Sequence, residues 1–253
     1  MQKVIDRLDE IDSSDVGMII YSTDKREKIS VYNSDITVPL ASAAKVAVGF
    51  CIAYWVEEKL CNWDDIVCDV SFDPHEDSLI VYPHIQHRDS LQLREAVEVM
   101  IACHDSLVAN SIVQMYGGWD KVSQSINSYF PNINVKQDPL DLDNKGSINQ
   151  IFELMLLIYQ RYKNNPELLS PIMNGLVRQR GEIEGIPNHL LNHMTGGLEN
   201  AIVNIGILGY LNQNPLIYVL GANNLPNRYN SQVADEIIID TIKSLYKNTY
   251  INN

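Results

Sequence analysis

The chain has 253 residues, of which 45% are hydrophobic and 20% are charged, and its formal net charge is −13. This length and composition are typical of a soluble globular protein with one large core or two interlocked ones. The negative charge argues against nucleic acid or an anionic membrane surface as a partner. The longest apolar stretch, residues 46–56, is too short to span a bilayer, so we expect no membrane span.

The beginning of the chain does not have the pattern of an export signal. Residues 2–11 place Val4, Ile5, Leu8 and Ile11 on one face of a predicted amphipathic helix and carry charges between them. Nothing else in the sequence directs export. We expect a soluble, cytoplasmic protein as the chain stands, or a secreted or periplasmic one if a signal was trimmed.

The N-terminal part of the chain then becomes β-rich. Alternating patterns predict strands over residues 16–21 and 28–32, joined by a polar turn at 22–27. The middle of the chain is helical apart from an irregular stretch at 62–90. The predicted helices cover residues 43–59, 91–102, 108–116, 119–129, 147–162 and 166–178.

From residue 193 the chain is β-rich again. Strands are predicted over residues 201–211 and 216–222, separated by a hairpin at 212–215, and a last helix covers 231–246. Strands at both ends with helices between them imply an α/β (α+β) fold with one antiparallel sheet, flanked by terminal helices, and an inserted helical lobe. We place the sheet lobe at residues 1–37 and 189–253 and the all-helical lobe at 38–188, together forming one integrated domain.

The cysteine and histidine residues do not predict a metal site. The four cysteines have neither zinc spacing nor a dense disulfide pattern, and Cys51 and Cys103 are expected to be reduced core residues. His189 and His193 are four residues apart, but Pro187 and the following strand favour a structural role over a metal pair. We predict no metal and no cofactor.

A serine and a lysine three residues apart stand at the start of the most apolar predicted helix. Ser42 and Lys45 would share one helix face, so the Lys45 amine can draw the proton from the Ser42 hydroxyl. The same spacing occurs at Ser22 and at Ser244, but in a polar turn and near the polar chain end. The alternative interpretation is a serine N-cap followed by a lysine that reaches solvent.

Three motifs follow one another along the chain: Ser42-Ala43-Ala44-Lys45, His104-Asp105-Ser106 and Met194-Thr195-Gly196-Gly197. Their order and spacing within the predicted elements resemble the Ser-x-x-Lys, Ser-Asp-Asn and Lys-Thr-Gly motifs of class A β-lactamases and other serine penicillin-recognising enzymes. The resemblance covers nearly the whole chain and implies the β-lactamase-like two-lobe fold.

The resemblance also implies residue roles. Ser42 would attack the substrate carbonyl, Lys45 would be its base, and the backbone N–H groups of Ser42 and Gly197 would form the oxyanion hole. His104 would shuttle a proton to the leaving group, or else it fills the corner between two helices. The residues expected to contact substrate are Ser106, Asn110, Thr195, Gly196, Gly197 and Tyr82.

Two further positions follow from the resemblance. The family places a Glu-Pro pair in a loop where the carboxylate activates the water that attacks the acyl-enzyme. Here Asp138-Pro139 stands at that place, and Asp141 and Asp143 are the other candidates for this carboxylate. A solvated acidic turn is the alternative. Tyr82, before Pro83, would flank the cleft, or else it packs inside the helical lobe.

The sequence departs from the family pattern at two motifs. His104 and Ser106 replace the second motif's serine and asparagine, and an imidazole can carry protons near neutral pH. Met194 replaces the third motif's lysine, so a thioether stands where the family supplies positive charge to a substrate carboxylate. His193 would point to the opposite face of the strand.

The sequence therefore predicts a monomeric serine hydrolase of the class A β-lactamase type acting on a β-lactam or related cyclic amide. One alternative is an esterase or peptidase acting on a small-molecule amide or ester without the carboxylate. The other alternative is a catalytically eroded penicillin-binding or sensor domain.

Overall fold

Strands from both ends of the chain form one antiparallel sheet in the computed structural model, which describes Asp6 and residues 15–251. The strands are β1 (Asp15–Ser22), β2 (Glu27–Tyr32), β3 (Thr37–Pro39), β4 (Ile66–Val67), β5 (Leu91–Gln92), β6 (Ile133–Asn134), β7 (Lys145–Ser147), β8 (Leu191–Leu198), β9 (Ala201–Leu208) and β10 (Leu216–Asn223). The main sheet has the order β2-β1-β10-β9-β8. The predicted helix over residues 2–11 lies outside the described residues except for Asp6.

β1 and β10, which come first and last along the chain among the strands of the main sheet, pair directly. β1 runs antiparallel to β10, from Asp15 opposite Asn223 to Ser22 opposite Leu216. β8 pairs with β9 and forms one edge of the sheet in the part of the chain that the structure describes. The prediction of one sheet built from the two ends of the chain is confirmed.

The helices of the middle segment pack against one face of this sheet. They are α1 (Ala44–Glu57), α2 (Ser78–Val81), α3 (Leu93–Ala102), α4 (Ser106–Met115), α5 (Trp119–Tyr129), α6 (Ile148–Asn164) and α7 (Pro166–Arg178). Their core includes Met194, Ile205 and Val219 from the sheet. The last helix, α8 (Val233–Tyr246), covers the opposite face, where its Ile238 and Ile242 join Tyr218 in a second core.

Apolar burial explains why the central strands have no amphipathic alternation. Every residue of β9 is buried, because the helical lobe covers one face and α8 the other. Nearly all of α1 is buried as well, so this helix lies at the centre of the helical lobe. No helix in the described residues is long and apolar enough to cross a membrane.

Some element bounds differ from the sequence prediction. Residues 91–92 form β5 instead of helix, because Gln92 and Glu95 make a capping box that starts α3 at Leu93. α4 begins at Ser106 because the Asp105 side chain accepts hydrogen bonds from the first turn of that helix. The division into lobes at residues 37/38 and 188/189 stays a prediction.

Candidate active site

Ser42 lies in a short 3₁₀ turn, Ala41–Ala43, that leads directly into α1. The Lys45 Nζ lies 3.3 Å from the Ser42 Oγ, within hydrogen-bonding distance. Ala41 has a φ of +45°, a left-handed conformation that a β-carbon disfavours. The backbone is therefore held in an uncommon conformation at the residue before Ser42.

Lys45 is a buried lysine near carboxylates. Its side chain is buried, with the whole residue 4% exposed, and burial lowers its pKa from 10.5 to about 8. The negative charges of Glu76, Asp105 and Asp73 raise the pKa and offset part of that effect. About a tenth of the amine is thus neutral at pH 7 and most of it above pH 8, and only the neutral form is a proton acceptor.

The other two Ser-x-x-Lys pairs do not form this arrangement. Ser22 Oγ accepts a hydrogen bond from the backbone N–H of Lys25, whose side chain is exposed. Lys247 is likewise exposed at the end of α8. Of the three serine–lysine spacings, that of Ser42 and Lys45 combines a side-chain contact with a buried amine.

Strand β8 passes directly beside the turn that carries Ser42. A β-carbon at Gly196 would lie 1.9 Å from the carbonyl oxygen of Leu40, so only glycine allows this approach. Gly197 follows at the exposed edge of the strand. The backbone of β8 and the Ser42 turn therefore line the same narrow seam, as an oxyanion hole formed by both would require.

His104 precedes α4 and has a φ of +57°. Its Nε2 hydrogen-bonds the side-chain amide of Gln179. Burial, followed by the nearby Lys45 and then His193, lowers the His104 pKa from 6.5 to about 4. The imidazole is therefore neutral at pH 7 and lies within electrostatic range of Lys45.

The remaining second-motif residues have different environments. Asp105 is fully buried and accepts hydrogen bonds from the N–H groups of Leu107 and Val108, from Asp73 N and from Ser78 Oγ. It is a helix cap and a loop anchor. Ser106 lines a small cavity beside Lys45.

That cavity measures about 10 Å³ and is lined on one side by the loop before β7. Such a volume is close to what one water molecule needs. Its polar lining comes from Lys45, Ser106, Lys136, Gln137 and Asn144. None of the described side chains that line it is a carboxylate.

Asp138 does not lie where the sequence placed it. Gln137 and Pro139 on either side line the cavity, whereas Asp138 is exposed and its Oδ1 accepts the N–H of Leu140 at 2.8 Å. The carboxylate caps its own turn, so the Asp138 position is corrected to a solvated acidic turn. Asn110 Oδ1 accepts a hydrogen bond from Gln137 Nε2 at 3.1 Å and so anchors this loop.

Tyr82 is also corrected. It is 4% exposed within the core of the helical lobe, and its hydroxyl donates to Glu98 at 3.1 Å. Arg178 lies over its ring at 5.6 Å. Since both the ring and the hydroxyl are occupied, Tyr82 packs inside the lobe and cannot flank substrate.

The third motif has no positive charge. Met194 is fully buried in the helical-lobe core. Thr195 points to the other face of β8, where its hydroxyl accepts a hydrogen bond from Asn204 at 2.8 Å. His193 lies on the face of Thr195, opposite Met194 as the strand pattern predicted.

Sequence reasoning missed Gln137, Asn144 and Asn204. Asn144 is fully buried and donates from Nδ2 to the carbonyl of Ala41 at 3.1 Å, which ties the loop to the Ser42 turn. A signal existed for Asn204, a single polar side chain in an otherwise apolar strand. In residues 15–251 and at Asp6, no three His, Cys, Asp or Glu side chains are grouped to hold a metal ion.

Comparisons with known proteins agree with this fold. The beta-lactamase enzyme family model matches residues 1–247, and the chain therefore belongs to that family. Membership indicates a β-lactamase-like hydrolase in general terms. No curated protein matches the sequence.

Solved structures resemble the chain over nearly its full length. A β-lactamase from Chitinophaga pinensis has a TM-score of 0.80 at 16% identity and covers 98% of each chain. A mutant of PBP-A, solved as an acyl-enzyme complex with penicillin G, has a TM-score of 0.77 at 17% identity and covers 97% of this chain and 96% of its own. An ancestral class A β-lactamase has a TM-score of 0.78 at 13% identity and covers 98% of each chain. At these identities the likeness establishes the fold alone.

Proposed function

We propose that the protein is a serine hydrolase of the β-lactamase type that forms an acyl-enzyme at Ser42 on a β-lactam or a related amide or ester. The observation that carries the proposal is the 3.3 Å contact between Ser42 Oγ and a buried Lys45 whose pKa is lowered to about 8. A neutral amine at hydrogen-bonding distance is the base that a serine nucleophile needs.

In the proposed reaction, the Ser42 proton passes to Lys45 while Oγ forms a bond to the substrate carbonyl carbon. The resulting oxyanion is stabilised by the N–H groups of Ser42 and Gly197, each worth about 3 kcal/mol in comparable sites. The carbonyl–nitrogen bond then breaks, and the proton from Lys45 reaches the leaving nitrogen through His104. In an ester, the leaving oxygen receives it.

Release of the acyl group is the step that the site supports least. No carboxylate is among the described side chains that line the water-sized cavity at Lys45, where the amides are Gln137 and Asn144, and Asp138 caps its own exposed turn. An amide does not take a proton from water at neutral pH. We therefore propose slow deacylation, which favours a penicillin-binding or sensor role as the second candidate.

The polarity of the site supports a substrate without a carboxylate as a further candidate. Met194 and Asn204, beside Thr195, are uncharged, and Glu76 and Asp73 add negative charge near Lys45. The Arg228 guanidinium beside Gly197 is paired with Asp235. A groove of about 620 Å³ beside the β8–β9 turn is lined partly by the apolar residues Leu140, Leu142, Leu225 and Tyr229. A neutral ester or amide with an apolar acyl group fits this environment.

Intact-mass analysis after exposure to benzylpenicillin and to 4-nitrophenyl acetate, followed over time, tests the proposal. We expect an adduct on the parent protein and none on the Ser42→Ala variant. Rapid labelling and release indicates a hydrolase, and labelling without release indicates a receptor. Reaction with the ester alone favours the esterase candidate, and no adduct with either reagent contradicts the proposal.

A further inference from the structure

A buried hydrogen-bond network joins β8, β9 and β10 beside the candidate site. Asn204 Nδ2 lies 2.8 Å from Thr195 Oγ1, and the Tyr218 hydroxyl lies 2.9 Å from Asn204 Oδ1. His193 Nδ1 lies 3.2 Å from Asn204 Nδ2, and its Nε2 lies 2.9 Å from the carbonyl oxygen of Gly181. His193, Asn204 and Tyr218 are each at most 4% exposed.

The proton positions in this network follow from its chemistry. A carbonyl oxygen only accepts, so His193 Nε2 must carry a proton toward Gly181. Burial lowers the pKa of His193, which keeps the imidazole neutral and leaves Nδ1 as an acceptor. Asn204 must then donate to Nδ1, which orients its amide with Nδ2 toward both His193 and Thr195.

The same amide orientation satisfies every group around Asn204. Its two N–H bonds go to His193 Nδ1 and Thr195 Oγ1, and its oxygen accepts from the Tyr218 hydroxyl. The opposite orientation would set the Asn204 oxygen against the lone pair of His193 Nδ1, and neither of these two atoms carries a proton. The network therefore has one arrangement that leaves no buried donor or acceptor unpaired.

This arrangement leaves the Thr195 hydroxyl with a free proton. The oxygen already accepts from Asn204, and within residues 15–251 the hydroxyl donates to no protein acceptor. Thr195 is half-buried at the sheet edge, next to Gly196 and the Ser42 turn. β8 is the edge strand of the sheet, so the proton of the half-buried Thr195 hydroxyl is free for a ligand that lies along this edge.

We propose that Asn204 and His193 are positioning residues that set the Thr195 hydroxyl as a hydrogen-bond donor to the substrate. This inference rests on the proposed acylation of Ser42. It assigns the substrate a class: an amide or ester with an acceptor oxygen near its reacting carbonyl, recognised at residue 195 by a neutral hydroxyl. The nearby Arg228 guanidinium is paired with Asp235. An ammonium or another donor at that position is selected against, because it would meet a second donor.

The first test observes the network in the free protein. Nitrogen-15 NMR of the histidine rings at pH 7 should show His193 as the neutral tautomer protonated on Nε2, with the signal assigned by its loss in His193→Gln. In Asn204→Asp the carboxylate should draw a proton onto Nδ1. An Nδ1–H tautomer or an imidazolium at His193 in the parent protein overturns the proposal.

The second test is a double-mutant cycle on the acylation of Ser42 by benzylpenicillin methyl ester. This probe keeps its acceptor oxygens and has no carboxylate that the acidic side chain of the Asn204→Asp variant would repel. Thr195→Val should slow acylation about tenfold, the worth of one hydrogen bond, and Thr195→Ser should restore it. Asn204→Asp should slow it to a similar degree, because Thr195 would then donate to the carboxylate.

The double variant separates positioning from general structural damage. If Asn204 acts through Thr195, adding Asn204→Asp to Thr195→Val slows acylation no further. A combined loss near a hundredfold, the product of the two single effects, overturns the proposal. If the parent protein is not acylated by either penicillin or 4-nitrophenyl acetate, the proposed function fails, and the tautomer of His193 still decides the hydrogen-bond arrangement.

Discussion

Gly196 passes so close to Leu40 that a β-carbon at position 196 would lie 1.9 Å from the Leu40 carbonyl oxygen. The same carbonyl accepts the N–H of Ala43 at 2.8 Å and thereby closes the turn that carries Ser42. The distance between β8 and the Ser42 turn is therefore set by the absence of a side chain at residue 196.

Gly196→Ala is expected to push β8 away from the Ser42 turn. Overpacking of this kind typically costs about 1–3 kcal/mol of unfolding free energy, which urea denaturation measures. Displacing one oxyanion donor should slow acylation by roughly 10²–10³-fold, measured by intact mass with benzylpenicillin. If the unfolding free energy and the acylation rate of the variant both equal those of the parent, the seam has no part in acylation.

Lys45→Met should abolish acylation and yet stabilise the fold. The lysine pKa is about 8 in the folded protein and 10.5 ordinarily, so the unfolded chain binds more protons between these values. Stability from this group therefore rises with pH across that window, and below it the buried charge costs about 3 kcal/mol. Methionine removes that cost at pH 7, and urea denaturation should show the gain.

Lys25→Met is the matched control for Lys45→Met. Lys25 has the same spacing from a serine, but its side chain is exposed. Its replacement should change neither the acylation rate nor the unfolding free energy beyond about 0.5 kcal/mol.

In the parent protein the acylation rate should rise with pH to a plateau above the Lys45 pKa of about 8. A pH-independent rate between 6 and 9 would contradict Lys45 as the base.

The element order was predictable because buried helices and strands leave strong periodic patterns. The bounds of α5 and α7 agree with the sequence, since Gly118 precedes one and Pro166 begins the other. The positions of Asp138 and Tyr82 were not predictable. Whether Gln137 or Asp138 faces the cavity depends on the loop's backbone path, and the burial of Tyr82 depends on Glu98 and Arg178.

The network around Asn204 shows a second limit of sequence reasoning. An asparagine in an apolar strand signals a buried hydrogen bond, but its partners follow from strand register. Thr195 lies opposite Asn204, and His193 lies opposite Gly206 on the neighbouring strand. A one-residue slip would move each side chain to the other face, so these contacts needed the structure.

His104→Ala is expected to lower acylation by roughly two or more orders of magnitude, the scale of general acid–base help. Below the fall in rate that protonation of Lys45 causes, a second fall should appear near the His104 pKa of about 4, well below an ordinary histidine's 6.5. Because His104 has a φ of +57°, His104→Asn is the matched variant that tolerates this backbone. His104→Ser should keep measurable turnover. Unchanged rates in His104→Ala would make the residue a packing side chain.

Met194→Lys tests whether the missing charge sets substrate preference. The side chain is fully buried in the parent, so the new lysine must reach the seam to stay charged. We expect acylation by benzylpenicillin to rise about tenfold relative to its methyl ester, because only the free acid carries a carboxylate. An unchanged ratio, in a variant that still folds by circular dichroism, would show that position 194 does not contact the substrate end.

Gln137→Glu tests the slow release of the acyl group. Gln137 lines the cavity beside Lys45, so a glutamate there would bring a carboxylate to the place where one water molecule fits. The change costs some stability, because Gln137 Nε2 donates to Asn110 in the parent and a carboxylate cannot. The half-life of the acyl-enzyme, followed by intact mass after removal of excess benzylpenicillin, should fall by about 10²-fold or more.

Asp138→Asn is the matched control for Gln137→Glu. The Asp138 carboxylate is exposed and caps its own turn, so deacylation in this variant should stay as slow as in the parent. If Asp138→Asn slows release and Gln137→Glu leaves it unchanged, the water is activated from residue 138 and the role assigned to the Gln137 side of the loop is wrong.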